Sequence, residues 1–502
     1  MKRVVCGEVT STSLHVTVRL AGGFCSGGRN YSMSTIGSQS LTELRRDFHR
    51  HPETGWTEYR TTALVAEELD RLGYDIHLGA DAVDISSRLG VPDADQLSHA
   101  RERAREEGAP EPYLQEISET TGLVAELTGG EGPTVGIRVD MDALEITENT
   151  DPDHRPAAEE FVSSHPGEMH ACGHDGHTAI GVGIARRLAE LAETGALAGE
   201  VRLFFQPAEE GGRGGWPMSR TDHLSDIDQF IALHLGLGNE TGEVIAGYDR
   251  PLSNAKMDVT FTGDPAHAGK EPHTGRNAVQ AAAAAIQNLY AIPRHGTGPT
   301  RINVGQLHSP NAQNVIADHA ELRFEVRGGT AELNDYMREA AERVVRHAGG
   351  MHDVDVETEL YGKTTSFEAD PALVRTVTDA ADSVGAVDTP VDRRQMGASE
   401  DASYLIERVQ REGGEATYIG IGADNPSGHH TSRFDIDEDA LEIGVDVVVE
   451  DSPSAHRRIL IRGCKIQPVL TPVSSRRLAG IQRATVRFVT VRSVSAWSRS
   501  KS

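Results

Sequence analysis

The segment TAIGVGIARRLAEL (residues 178–191) lies between two strand-like runs, TVGIRV (134–139) and VRLFF (201–205). We predict a helix for the central segment and a buried strand for each flanking run. A third strand-like run, FIALH (230–234), follows along the chain. Strands that alternate with helices indicate a mostly parallel sheet with helices on both faces, so the sequence predicts an α/β fold.

Ligand-type side chains follow each of these three strands. Asp140 and Asp142 come after the first, Glu209 and Glu210 after the second, and His234 ends the third. In open α/β sheets, ligands bind outside the carboxyl ends of the strands. We therefore expect the functional site at that edge of the sheet.

Cysteine and histidine are concentrated in the segment MHACGHDGH (169–177). Thiolate and imidazole are ligands that zinc and similar divalent ions bind readily. Gly173 and Gly176 would allow a tight turn that brings Cys172 and His174 to face the same point. The alternative is a small buried cysteine beside scattered histidines. Because so many ligand-type groups share one glycine-rich turn, the spacing favours a metal site.

Two later segments add candidate site residues. In QPAEE (206–210), one carboxylate can bind metal while its neighbour faces the attacking water and takes its proton, since successive side chains diverge at a strand end. A solvated acidic turn is the alternative interpretation. In GHHT (428–431), a late imidazole pair offers a further ligand for a two-metal site, or else a surface histidine.

A second pattern begins at Lys256, where residues 256–262 alternate as in an antiparallel strand. A helix over 277–292, strands over 301–307 and 320–326, and a helix over 331–347 follow. This βαββαβ-like block predicts a small α+β domain inserted in the larger one. The predicted divisions are an N-terminal extension (1–32), a metal-binding catalytic domain (33–251 and 362–450), the inserted domain (252–361) and a basic tail (451–502).

The charge of the chain is distributed unevenly. Residues 451–502 contain 11 Lys or Arg and one acid, and residues 1–32 contain four and one, so the formal charge of −27 leaves −40 for residues 33–450. We expect both ends to be disordered or artefactual. A basic arm that binds nucleic acid is the alternative for the tail. The acidic middle suits a halophilic, salt-rich cytoplasm and disfavours nucleic acid as a partner.

Other classes are disfavoured by the motifs and composition. No run reaches the length of a membrane span. Cys172 is the sole cysteine between residues 33 and 450, which fits a reducing compartment. A zinc deaminase would need Pro-Cys-x-x-Cys and a zincin His-Glu-x-x-His, and the sequence contains neither. A non-catalytic metal-binding regulatory protein stays open as an alternative.

Several multi-residue motifs together resemble the M20 metallopeptidases, in particular their amidohydrolase branch, which includes the aminobenzoyl-glutamate and indoleacetyl-amino acid hydrolases. The resemblance runs from about Leu44 to Val447. It includes the segments VDMDAL (139–144), MHACGHDGHTA (169–179), QPAEEG (206–211), HAGKEPHTGRNA (267–278), GASEDASYL (397–405) and GHHTSRFDIDE (428–438).

This resemblance implies roles for individual residues. Two divalent cations, manganese or zinc, would be bound by Cys172, His174, Glu210, His234 and His430. Glu209 matches the general base, and Asp142 the acid that orients a ligand histidine.

The resemblance also assigns roles away from the ligands. His267 matches a lid histidine that reaches the active site of a dimer partner, which makes the inserted domain a lid and dimerisation domain. Asn314 and Arg327 match groups that hold the substrate carboxylate. Asp140 stands where related enzymes have a first ligand histidine, which leaves its own role unassigned.

The implied function is metal-dependent hydrolysis of the amide bond of an N-acyl amino acid in the cytoplasm. The expected substrate is p-aminobenzoyl-glutamate, a folate fragment. An aminoacylase or an indoleacetyl-amino acid hydrolase is the alternative. The expected assembly is a homodimer or a heteromer with a related subunit, with no nucleic acid and no membrane as partner.

Overall fold

A computed structural model of the protein describes residues 36–449, so the expectations for residues 1–32 and 451–502 lie outside the described range. The helices of this range are α1 (Leu41–Arg50), α2 (Tyr59–Arg71), α3 (Ala94–Glu106), α4 (Glu111–Glu116), α5 (Arg155–Ala158), α6 (His174–Glu193), α7 (Gly215–Met218), α8 (Ala278–Tyr290), α9 (Ala331–Met351), α10 (Pro371–Ser383), α11 (Ser403–Glu412) and α12 (Asp439–Val448).

The strands of the same range include long ladders and short bridging pairs. They are β1 (Asp75–Leu78), β2 (Leu123–Thr128), β3 (Gly130–Asp140), β4 (Ala198–Gln206), β5 (Gln229–Leu235), β6 (Glu243–Ile245), β7 (Tyr248–Asp249), β8 (Ser253–Thr262), β9 (Ala266–His267), β10 (Thr300–His308), β11 (Val315–Ile316), β12 (His319–Gly328), β13 (Asp355–Thr364), β14 (Thr389–Val391), β15 (Arg394–Gln395) and β16 (Glu415–Ile421).

The larger sheet has eight strands in the order β1-β2-β4-β3-β5-β16-β6-β14. Its four central strands, β4, β3, β5 and β16, run parallel to one another. Antiparallel strands β1 and β2 extend it on one side, and β6 pairs antiparallel with β16 on the other. The mixed, mostly parallel sheet predicted from the sequence is confirmed.

Both faces of the central strands are buried, which explains their continuous apolar runs. In β4, Leu203 and Phe205 belong to one hydrophobic core, whereas Phe204 between them belongs to a second core on the opposite face. Helix α6 packs on the first face and α11 on the second. Because side chains alternate along a strand, one apolar run supplies two cores.

The smaller sheet has four antiparallel strands in the order β10-β12-β8-β13. Helices α8 and α9 cover it, and together they enclose a third hydrophobic core that includes Phe261, Phe324 and Met337. The elements occur in the order expected from the sequence, with β13 as the sixth. The division into a catalytic domain and a lid stays a prediction.

Helix α6 begins earlier than the sequence pattern indicates. The pattern places its start at Thr178, but it starts at His174, directly after Gly173 in the left-handed conformation (φ 98°). Glycine adopts this conformation without steric cost. His174 and His177 therefore lie in the first turn of a helix rather than on a loop. Across residues 36–449, no helix is both long and apolar enough to span a membrane.

Candidate active site

The carboxyl ends of the four parallel strands meet at one edge of the larger sheet, and the candidate residues gather there. A cavity of about 520 Å³ opens at this edge. Its walls come from both sheets. They include Cys172, Glu209, Glu210, His234 and His430 from the side of the larger sheet, and Asn254, Lys256, Arg327 and Thr364 from the smaller one.

Two buried imidazoles at this edge contact backbone carbonyls through the same ring nitrogen. Nδ1 of His174 lies 2.8 Å from the carbonyl oxygen of Asp142, and Nδ1 of His234 lies 2.7 Å from the carbonyl oxygen of Leu235. Because a carbonyl can only accept, each Nδ1 carries the proton and donates it. Nε2 is then the nitrogen left to bind metal, which it does when the ring is neutral.

The ligand-type atoms form overlapping groups. One atom of each member lies within 4.8 Å of the others in three sets, namely Cys172 with His174 and His234, Cys172 with Glu210 and His430, and His174 with Glu209 and Glu210. All five ligands expected from the sequence, together with Glu209, are thus brought together.

The donor atoms of this cluster fit divalent metal. Nε2 of His174 is buried without a hydrogen-bond partner, and Sγ of Cys172 lies 3.5 Å from Nε2 of His234. An unpartnered buried polar atom is costly unless an ion or water satisfies it. Burial, and then the charge of Glu210, raise the pKa of the Cys172 thiol, so a cation would have to displace its proton.

Asp142 holds the two glutamates through their backbone. Its Oδ1 accepts the N–H of Glu209 at 3.0 Å, and its Oδ2 accepts the N–H of Glu210 at 2.9 Å. Oδ1 also lies 3.3 Å from Nδ1 of His174. One buried carboxylate therefore links the loop after β4 to the first turn of α6. Ala208 before the pair is held at a positive φ of 52°.

The Glu209 carboxyl sits among other acids. Burial, followed by the negative charges of Glu400, Glu210 and Asp401, raises its pKa well above the ordinary value. Its position beside the ligand cluster and in the cavity wall is the position that a proton-transferring group needs.

A buried network of ion pairs lies beneath this region, and no pattern in the sequence indicated it. The guanidinium of Arg138 is fully buried and lies 2.7 Å from Asp140, 3.2 Å from Glu400 and 3.5 Å from Asp401. Tyr418 donates to Glu400 at 2.6 Å. In a chain this acidic, buried carboxylates are not distinguishable from surface ones by composition.

Asp140 has defined partners in the structure. Its Oδ1 lies 2.5 Å from Nδ1 of His177, and its Oδ2 accepts from Arg138. Nε2 of His177 accepts the backbone N–H of Leu235 at 2.8 Å. These hydrogen bonds link β3 to β5 through the first turn of α6. Asp140 therefore positions α6, the helix that carries His174.

Lys256 is a cavity residue that the sequence pattern hid. It lies on β8, where the alternation marked only its apolar neighbours for the core. Burial lowers the pKa of its ammonium, and the charges of Glu209 and Glu210 oppose that shift. It shares the cavity wall with Arg327, whose guanidinium pairs with Glu325 at 2.8 Å.

His267 and Asn314 lie elsewhere. His267 is exposed on β9, which pairs with β11, and Asn314 is exposed directly before β11. The N–H of Ala268 donates to the carbonyl of Asn314 at 3.0 Å, so these two segments are neighbours. Neither residue lines the cavity within this chain. Their expected roles stay predictions.

This fold and site define a hydrolase class. Residues 136–450 match the profile of peptidase family M20/M25/M40, and the chain belongs to this family. The enzyme class and the family resemblance inferred from the sequence are confirmed.

The chain is similar to curated hydrolases over most of its length. It is 46% identical over 411 residues to the indole-3-acetyl-aspartic acid hydrolase of Enterobacter agglomerans, with coverage of 81% of this chain and 94% of the relative. It is 43% identical over 411 residues to one of the subunits of the p-aminobenzoyl-glutamate hydrolase of Escherichia coli strain K12, with the same two coverages.

A solved structure is similar to this chain in both fold and sequence. The crystal structure of an aminobenzoyl-glutamate utilization protein from Klebsiella pneumoniae matches with a TM-score of 0.70 and 39% identity. The match covers 81% of this chain and 93% of that one.

Proposed function

We propose that this enzyme hydrolyses the amide bond between an aromatic acyl group and an acidic amino acid, with p-aminobenzoyl-glutamate as its substrate. Both curated relatives are named for such compounds, one with an indoleacetyl group on aspartate and one with an aminobenzoyl group on glutamate. Indole-3-acetyl-aspartate is accordingly the second candidate, favoured by the slightly higher identity.

The observation that carries the proposal is the placement of Glu209 beside the cluster of Cys172, His174, Glu210, His234 and His430, in the wall of one cavity. We propose that this cluster holds two divalent ions, manganese or zinc. Such ions polarise a carbonyl oxygen and make water a better nucleophile at neutral pH.

The side chains of the enzyme divide the remaining work. Glu209 takes a proton from the attacking water and returns it to the amide nitrogen as the C–N bond breaks, so that p-aminobenzoate and glutamate leave. Asp142 holds the backbone of Glu209 and the ring of His174, which keeps the general base and the metal ligand at a fixed position relative to each other.

Substrate selection rests on the cations of the smaller sheet. Lys256 and Arg327 place two cationic side chains in the cavity wall, and such groups suit the two carboxylates of a glutamate leaving group. We further propose that His267 acts on the site of a partner chain and stabilises the developing oxyanion there, and that Asn314 contacts the substrate carboxylate. The smaller sheet with its helices would then serve as a lid that excludes water.

The setting of the enzyme is part of the same proposal. We propose a homodimer, or a heteromer with a related subunit, in the cytoplasm, acting in folate breakdown. The net charge of −40 between residues 33 and 450 supports work at high salt, where screening weakens self-repulsion.

The test is hydrolysis by the purified full chain in high salt, first stripped with a chelator and then given manganese or zinc. We expect metal-dependent release of p-aminobenzoate from p-aminobenzoyl-glutamate, and slower cleavage of N-acetyl amino acids. Faster cleavage of indole-3-acetyl-aspartate would change the acyl group. Metal-loaded enzyme that cleaves none of these amides would refute the proposal.

A further inference from the structure

A second group of metal-type ligands lies at the β1 edge of the larger sheet. His77 on β1, Asp81 in the turn after it and His223 between β4 and β5 each place one ligand atom within 4.8 Å of the others. The two imidazole rings lie 4.3 Å apart between centroids. None of the three residues lines the catalytic cavity.

We propose that His77, Asp81 and His223 form a separate binding site for a zinc-type divalent ion that fastens β1 to the segment before β5. Two imidazoles and a carboxylate are a donor set that zinc and its neighbours among the transition metals accept. The site is independent of the proposed reaction.

The contacts around His77 leave its second nitrogen without a partner. Nδ1 lies 2.8 Å from Oδ2 of Asp81, whereas Nε2 is buried and makes no hydrogen bond. Nε2 faces Glu126, with 3.9 Å to its Oε2. If an ion bound Nδ1 of His77, the ring proton would be on Nε2. A small shift of the ring would then let Nε2–H donate to Glu126, which would satisfy the unpartnered atom.

Glu126 on β2 also positions the other ring. Nδ1 of His223 lies 3.0 Å from its Oε1, which leaves Nε2 of His223 for an ion. Histidine ligands commonly give their second N–H to a carboxylate in this way. Since the strand register pairs His77 with Val124, Glu126 is its diagonal neighbour on the same face.

The local charge also suits a dication. Arg202 lies 3.6 Å from Glu126 but closer, at 2.6 Å, to Glu200, so these two charges offset each other. Asp81 and Glu126 then place two carboxylates beside the two imidazoles, a negative setting that suits a divalent ion. The carboxylate of Asp81 is 67% exposed, so the ion has a path from solvent.

The test is the number of zinc ions bound per chain by the full-length protein, measured by calorimetric titration and metal analysis after removal of free zinc. We expect the double variant His77→Ala/His223→Ala to bind one ion fewer than wild type. Its hydrolysis of p-aminobenzoyl-glutamate with manganese should be unchanged. His319→Ala is the matched control, because His319 also pairs with a carboxylate, that of Glu321, and belongs to neither of the proposed metal sites.

A single variant covers the case in which the double variant fails to fold. Asp81→Asn keeps the shape of an exposed side chain, and we expect it to weaken this one zinc affinity by at least about tenfold. Equal zinc stoichiometry in wild type and double variant, or equal affinity in Asp81→Asn, would overturn the proposal. Loss of amide hydrolysis in all proteins, wild type included, would instead count against the proposed function.

Discussion

The substitution Glu209→Gln distinguishes loss of proton transfer from loss of metal binding. Glutamine keeps the shape of the side chain but cannot take a proton from water. Loss of a positioned general base costs about 10²- to 10⁴-fold in kcat, which is about 2.7–5.5 kcal/mol of activation free energy. The metal ligands stay in place, because Asp142 holds this loop by backbone N–H groups that the substitution does not touch.

The substitution Glu209→Gln should not lower the free energy of unfolding. In the metal-free protein, burial disfavours the Glu209 carboxylate and the negative charges of Glu400, Glu210 and Asp401 repel it, which together raise its pKa. A raised carboxyl pKa means that the charged form opposes folding at neutral pH. Glutamine removes that repulsion, so the free energy of unfolding should be equal or higher.

The assay follows p-aminobenzoate release at saturating substrate, with bound metal and urea unfolding measured on the same preparations. Glu210→Gln is the matched control, since it should lose metal as well as activity. A Glu209→Gln enzyme with wild-type kcat and full metal content would refute the assignment of the base. Lost metal content in this variant would instead make Glu209 a ligand.

Three further outcomes can be checked. Lys256→Met should raise KM for p-aminobenzoyl-glutamate by about 10- to 100-fold, with a much smaller change for an N-acyl alanine, because a hydrogen bond to a charged group contributes about 1.5–3 kcal/mol. Arg138→Met should lower the free energy of unfolding in urea by about 3–5 kcal/mol because buried carboxylates lose their cation, whereas exposed Arg375→Met should leave it unchanged. Burial disfavours the charged form of the His165 ring, but the carboxylates of Glu107 at 2.7 Å and Glu168 at 3.6 Å raise its pKa to about 9. Its contribution to stability is therefore complete below the unfolded pKa of about 6.5 and is lost as pH rises through about 9, so His165→Gln should be destabilised near pH 6 and indistinguishable from wild type well above pH 9.

The sequence predicted those parts of the site that local spacing encodes. Cys172 and His174 stand two residues apart, and Glu210 follows a strand that is apolar on both faces. Because parallel strands end at a common edge, their order along the chain was enough to expect these groups together. The same reasoning placed His234 with them.

The missed residues depend on contacts between distant segments. Lys256 alternates with core residues of β8, and only the packing of the two sheets turns it toward the cavity. Arg138 and Glu400 are 262 positions apart in the chain, and no local pattern indicates that they pair. Helix α6 starts early because the left-handed Gly173 ends the preceding loop at once, whereas the apolar pattern alone extends that loop to His177.

The hydrogen bond from the Leu235 amide to His177 offers a way to observe the ligand cluster without substrate or metal. A backbone amide that is bonded to a buried ring nitrogen exchanges its hydrogen with solvent only when the surrounding structure opens. The Leu235 amide should therefore be among the slowest to take up deuterium in β5. A change that loosens Asp140, at the other side of the ring, would accelerate this exchange. One amide thus reports how firmly the first turn of α6 is held against the sheet.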